Sequence, residues 1–259
     1  MCAVSYLNTV PLVWGLLKEP AQSDRFNLRF ALPAVCADQL ASGEADIGIV
    51  PVIEIARQKL AYFRETGIAS YGPVRSILLI SKVPFREIRK LAADSGSRTS
   101  VVLSRIILAE NFGVEPQVIS HPPDLAAMLG MADAALLIGD AALRVDPATL
   151  PFETLDLGEQ WTNLTGLPMV FAVWAGRQEA IVEPYGAALA ASCGYGLAHI
   201  DDIVRHEASQ RGFPEALVRE YLTRHIQFEF SNPHYAAIET YLKFAAALER
   251  AAVPGGVSA

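Results

Sequence analysis

Cysteine is scarce in this 259-residue chain: Cys2, Cys36 and Cys193 stand far apart, with no CxxC and no paired histidine spacing. A disulfide framework and a zinc site are therefore not expected, and a reducing cytoplasm is the expected setting. Long hydrophobic runs are missing too. No apolar stretch reaches the ~18 residues that cross a bilayer, so no membrane partner is expected. The chain does not open with a basic region, an apolar segment and a small-residue cleavage site, so a secretory signal is not expected either. Basic residues number 21 against 28 acidic ones, a net charge of −7. That balance argues against nucleic acid, which wants a basic face. A small anion remains admissible, given local help from helix N-termini and a few arginines. GxGxxG, P-loop, HExxH and GxSxG motifs are absent. The five histidines avoid the polar loops described below, so a nucleophile–histidine pair has no support.

What is present is apolar and alternating. Apolar residues make up 52% of the chain, ample for a buried core. Strands are expected at Leu28–Leu32, Asp46–Val50, Ser76–Ser81, Val118–Ser120, Ala134–Ile138 and Met169–Trp174. Helices are expected at Pro11–Leu17, Val35–Ser42, Thr99–Asn111 and Pro123–Leu129. The alternation predicts an α/β fold with largely parallel sheets. An internal echo organises it: GEADIGIV from Gly43 and GMADAALLIG from Gly130, with aspartates 133 − 46 = 87 positions apart. Upstream, each half carries a polar loop opening a helix, SYLN (Ser5–Asn8) in the first and SGSRTS (Ser95–Ser100) in the second. Any two βαβ units share some likeness. The sharper reading is two lobes whose strand-to-helix loops face each other across a cleft, since open α/β sheets bind ligands at that edge. The first lobe is expected to hold residues 1–78 and 172–259, and the second residues 79–171. Pro184–Ser209, Pro214–Phe228 and Pro233–Ala251 read as helices covering the first lobe, and Val253–Ala259 as a frayed tail.

Four segments have the means to contact a ligand. Ser97, Thr99 and Ser100 are good caps for the helix that follows, and Arg98 adds charge. The same loop serves either as a plain cap with a solvated arginine or as an anion site. Ser76 opens an otherwise buried strand and needs a partner, in the backbone or in the cleft. Gly139 permits close backbone approach, and Asp140 after it either caps a helix or meets substrate. Asn8 is a cap or a ligand contact, and Thr9, itself a competent cap, leaves the Asn8 amide free.

Taken together, VSYLNTVPL, ADIGIVPVIE, YGPVRSILLISK, SRTSVVLSRIIL, DAALLIGDAAL and DLGEQWTNLTGLPMVFAVW resemble the chorismate dehydratases of the futalosine route to menaquinone, from about residue 3 to 176. The sister dihydroxynaphthoate-forming enzymes fit these loops less well. The resemblance implies a two-lobed fold like that of type II periplasmic binding proteins. It also implies dehydration of chorismate to 3-[(1-carboxyvinyl)oxy]benzoate without metal or organic cofactor. It places Asn8, Ser76, Thr99 and Ser100 at the ligand, with Asn8 as the catalytic residue. On the reading of the loops, Ser97, Arg98, Gly139 and Asp140 join the substrate-binding set. A donor amide near C4 would help hydroxide leave. The expected proton acceptor is the substrate's own enolpyruvyl carboxylate, with Asp140 as its rival within the protein. A non-catalytic module that binds a small carboxylate is the alternative from another class.

Overall fold

The computed structural model describes residues 1–19 and 26–251; the expected tail at Val253–Ala259 lies outside them. The strands are β1 (Cys2–Val4), β2 (Arg29–Ala31), β3 (Ile47–Pro51), β4 (Ala61–Ser70), β5 (Ile77–Ser81), β6 (Lys90–Asp94), β7 (Gln117–His121), β8 (Ala134–Ile138), β9 (Glu153–Asp156), β10 (Met169–Gly176) and β11 (Gln227–Glu229). They form two sheets, ordered β11-β4-β10-β3-β1-β2 and β7-β6-β8-β5-β9.

The internal echo is a property of this topology. Omitting β11, the orders β4-β10-β3-β1-β2 and β9-β5-β8-β6-β7 correspond strand for strand. The 87-residue offset carries β3 onto β8 residue for residue, since 47 + 87 = 134 and 51 + 87 = 138. Both strands are buried throughout, which explains their unbroken apolar runs: a strand covered on both faces needs no polar side. The sheets are mixed and not largely parallel as expected: β1 pairs in parallel with β2 and β3, and β6 with β7 and β8, while the β10, β4, β11, β5 and β9 pairings are antiparallel. The antiparallel members β10 and β5 are the strands by which the chain enters each sheet from the other.

The two crossings lie side by side, because Met169 on β10 pairs with Ser70 at the end of β4. The Asp156 carboxylate fastens one to the other by accepting from the backbone N–H groups of Val74 at 2.9 Å, Arg75 at 2.6 Å and Gly158 at 2.9 Å. Sheet membership moves the lobe boundaries by several residues. Ile77 and Leu78 belong to the second sheet, and Met169–Phe171 to the first.

The C-terminal third departs further from expectation. The helix expected at Pro184–Ser209 breaks at His199 into Glu183–Ala198 and Ile200–Arg211. That expected at Pro214–Phe228 stops at Glu220, widens into a π turn over Tyr221–His225, and becomes β11 on the edge of β4. The Glu183–Ala198 helix lies against Val10–Lys18. Ser192 donates to the Leu12 carbonyl at 2.8 Å and accepts from Leu16 N–H at 3.0 Å. Gly196 makes that approach possible, since a Cβ there would stand 2.1 Å from the Pro11 carbonyl oxygen. The last helix, Asn232–Ala251, reaches the second lobe as well as the first. Tyr241 donates to the Thr99 carbonyl at 3.0 Å, and its ring meets Trp161 edge-on at 6.0 Å. The tail thus clasps both lobes. Among the described residues no helix is long and apolar enough to cross a membrane.

Candidate active site

The two polar loops occupy equivalent places. After β1, residues Leu7–Thr9 make a single 3-10 turn that runs into the Val10–Lys18 helix. Neither Asn8 nor Thr9 caps that helix with its side chain, and the buried Thr9 hydroxyl has no partner. After β6, Asp94 folds the next turn by accepting from Gly96 N–H at 2.9 Å, while its carbonyl accepts from Ser97 N–H at 3.0 Å. Burial pushes the Asp94 carboxyl above its ordinary range. The Thr99–Phe112 helix then starts with no side-chain cap. Its first N–H groups and the positive end of its dipole are therefore available to an anion.

Between these loops lies a cavity of about 60 Å³. Asn8, Ser76, Ser97, Arg98, Thr99, Ser100 and Gly139 all line it, against apolar walls that include Ile68, Ile138 and Phe171. The ionisable side chains in this lining are Tyr6 and Arg98. Burial, then the nearby Asp94 and Asp140 carboxylates, push the Tyr6 phenol pKa up. Arg98 faces the cleft with its charge already matched: its guanidinium bonds Asp38 at 2.5 Å and Glu54 at 3.3 Å on the first lobe. Those carboxylates raise its pKa against the opposing effect of burial, the largest single influence. It closes the cleft rim and supplies little uncompensated charge to a ligand. Thr99 also ties the lobes, its hydroxyl accepting from Ile53 N–H at 3.4 Å.

Asp140 requires a correction. It is absent from the cavity lining and does not cap its helix. One carboxylate oxygen accepts from Leu7 N–H at 3.0 Å, and the other pairs with Arg211 from the C-terminal helices. Arg211 in turn bonds Glu207 at 2.6 Å and the Ser5 carbonyl at 3.0 Å. Asp140 is thus a strut between the second lobe and the loop that carries Asn8. Gly139, one residue earlier, has φ +58°, and a Cβ on it would sit 2.7 Å from the Tyr6 ring. Its missing side chain is what lets Tyr6 close over the cleft. Arg75 turns away, donating to the carbonyls of Ala142 at 3.2 Å and Val145 at 2.6 Å.

Two residues escaped the sequence reading. Tyr6 sits inside the SYLN loop but was eclipsed by the more overtly polar Asn8. Tyr221 comes from the helical tail, far from any polar loop. Its buried hydroxyl accepts from Asn8 Nδ2 at 3.0 Å and donates to Ser76 Oγ at 2.8 Å. The amide nitrogen of Asn8 thus has a protein partner, whereas its carbonyl oxygen is buried without one. Among the described residues no group of three or more His, Cys, Asp or Glu side chains could hold a metal ion.

A model of the menaquinone biosynthesis family matches residues 1–247. The chain belongs to this family. Among its relatives, a protein of Thermus thermophilus named chorismate dehydratase is 30% identical over 239 residues, 84% of each chain. Among solved structures, protein AF1704 of Archaeoglobus fulgidus has a TM-score of 0.74 at 14% identity, covering 96% of this chain and 97% of its own. The periplasmic aliphatic sulphonate binding protein SsuA of Escherichia coli follows with a TM-score of 0.64 at 16% identity, over 98% and 92%. The architecture of this family member is therefore the two-lobed α/β fold of periplasmic binding proteins, with the cavity at the lobe junction.

Proposed function

We propose that this protein is a lyase that dehydrates chorismate to 3-[(1-carboxyvinyl)oxy]benzoate, the first step of the futalosine route to menaquinone. The observation that carries the reading is the lining of the interlobe cavity. Hydroxyls, an amide and an uncapped helix start converge there, with no histidine or carboxylate side chain among them. Such a site can orient a dianion and stabilise developing charge.

Chorismate needs little more. Its C3 proton is conjugated through a ring double bond to the ring carboxylate, so charge developing on C3 spreads onto that group. In this reading the ring carboxylate meets the start of the Thr99–Phe112 helix with its Thr99 and Ser100 hydroxyls, a role supported by the lack of a side-chain cap there and by the cavity lining. The C3–H electron pair becomes the C3–C4 double bond, and the C4–O bond breaks. The departing hydroxide takes up a proton and leaves as water, and the ring becomes aromatic. Aromatisation supplies the driving force, leaving orientation and desolvation to the protein. The base is the substrate's own enolpyruvyl carboxylate, attached at C3. We place the reaction in the cytoplasm, in keeping with three buried, unpaired thiols.

Purified protein incubated with chorismate tests the reading. Loss of the diene absorbance with release of an aromatic vinyl ether is expected. Unchanged chorismate that nonetheless raised the melting temperature would mark a binding module instead.

Asp140→Asn separates the two candidate bases. The isosteric amide can still accept from Leu7 N–H but gives up the charge of the Arg211 pair, so kcat/KM should fall only about 3- to 10-fold. A folded variant that binds chorismate and has no turnover would make Asp140 the proton acceptor.

A further inference from the structure

We propose that Tyr221 is a positioning residue for this reaction: its hydroxyl fixes the Asn8 side chain so that the amide carbonyl oxygen accepts from the C4 hydroxyl of the substrate. The inference rests on the dehydratase reading and deepens it at one contact.

Three observations converge. First, Tyr221 is anchored from both sides. It is the opening residue of the π turn that follows the Glu215–Glu220 helix, and such turns recur at functional sites. A few residues on, the chain pairs as β11 with β4, the strand that delivers the chain to the first crossing. The side chain is 1% exposed, so its ring has no freedom to swing away. Secondly, the hydroxyl joins two groups that line the cavity from different parts of the chain, Asn8 at 3.0 Å and Ser76 at 2.8 Å. Burial pushes the phenol pKa well up, so the group keeps its proton and its capacity to donate. Thirdly, Asn8 Oδ1 is buried with no protein partner.

A phenolic O–H donates one hydrogen bond and accepts others. With Ser76 taking the donation, Tyr221 can only accept from Asn8, which must therefore offer its NH₂ group. The amide carbonyl is then the atom left for the ligand. A buried carbonyl without a partner forfeits the hydrogen bond it had with water, a deficit that a ligand hydroxyl removes on binding. The C4 hydroxyl is the hydroxyl of chorismate. Once its hydrogen is donated to Asn8 Oδ1, the lone pairs of the leaving oxygen are free to take the proton that the enolpyruvyl group has removed from C3. The proton count closes: one proton moves from C3 to the carboxylate and on to the C4 oxygen, which departs as water. This sharpens the role expected of Asn8, from donor to the leaving group to acceptor from it.

Tyr221→Phe keeps the ring and removes the hydroxyl. The expected result is a fall in kcat of about 10- to 100-fold with KM changed less than about threefold. In an Asn8→Ala background the same substitution should change kcat by less than about twofold, because the contact it serves is already gone. A purely structural tyrosine would give the same fold-loss in both backgrounds, and that result, or wild-type kcat in Tyr221→Phe, overturns the proposal. Wild-type turnover of chorismate is measured first, so its absence counts against the function and not against the contact. Hydrogen exchange of the Asn8 side-chain amide reads the contact without turnover. Exchange should quicken in Tyr221→Phe, and unchanged exchange would also overturn the proposal.

Discussion

Asn8→Ala is expected to lower kcat for chorismate by about 100- to 1,000-fold, the range for removing one preorganised polar contact at a reacting centre. The fold should survive. Asn8 caps no helix, and its bond to the protein is the one to Tyr221, which retains Ser76 as a partner. One neutral hydrogen bond contributes about 0.5–1.5 kcal/mol, equivalent to a few degrees in melting temperature for a chain of this size. KM should move little, because in the proposed reading the substrate's charged groups are held by the helix start and hydroxyls on the opposite lobe. Kinetics and a melting curve on the same preparation check this. A fully active variant would mean that Asn8 serves only the loop.

Gly139→Val should be worse, and for a different reason. A β-branched residue at φ +58° is strained by about 1–3 kcal/mol in the left-handed region. Its Cβ would also stand within 2.7–2.9 Å of three Tyr6 ring carbons, closer than packed atoms come. Tyr6 belongs to the first lobe and Gly139 to the second, so the added side chain works against lobe closure. The expected outcome is a melting temperature lowered by about 2–12 °C and turnover reduced more than about 100-fold. Small-angle scattering should show that ligand compacts the wild type and leaves the variant unchanged. Ordinary compaction and activity in Gly139→Val would remove the Tyr6–Gly139 contact from the account of closure.

Much of this was legible in residues whose neighbours in sequence are also their neighbours in space. The β3 and β8 runs are buried on both faces, so composition alone marks them as strands. SYLN and SGSRTS each lie where a parallel strand hands over to a helix, as does Gly139 after β8, and that local grammar brought Asn8, Ser97, Thr99, Ser100 and Gly139 to one cavity, where Ser76 joins them from the start of the antiparallel β5. β4 was missed because it exposes Arg64 and Glu65 in succession, breaking the two-residue period. Asp140 was misplaced because its environment is set by Arg211, 71 residues away. Tyr221 lay beyond reach for the same reason. Its importance comes from two hydrogen bonds spanning 213 and 145 positions, and nothing local distinguishes it from a core aromatic.

The central claim is that the cleft positions chorismate and leaves proton removal to the substrate, and kcat measured across pH tests it most directly. Raised pKa values keep both ionisable lining groups constant through neutrality: Tyr6 remains a neutral phenol and Arg98 a cation. Asp94, whose pKa is also raised, does not line the cavity. The account predicts aromatic product with a rate that is flat from about pH 6 to pH 9 and falls only as a carboxylate is protonated near pH 4. No product, or an ionisation near neutrality that governs kcat, would contradict it.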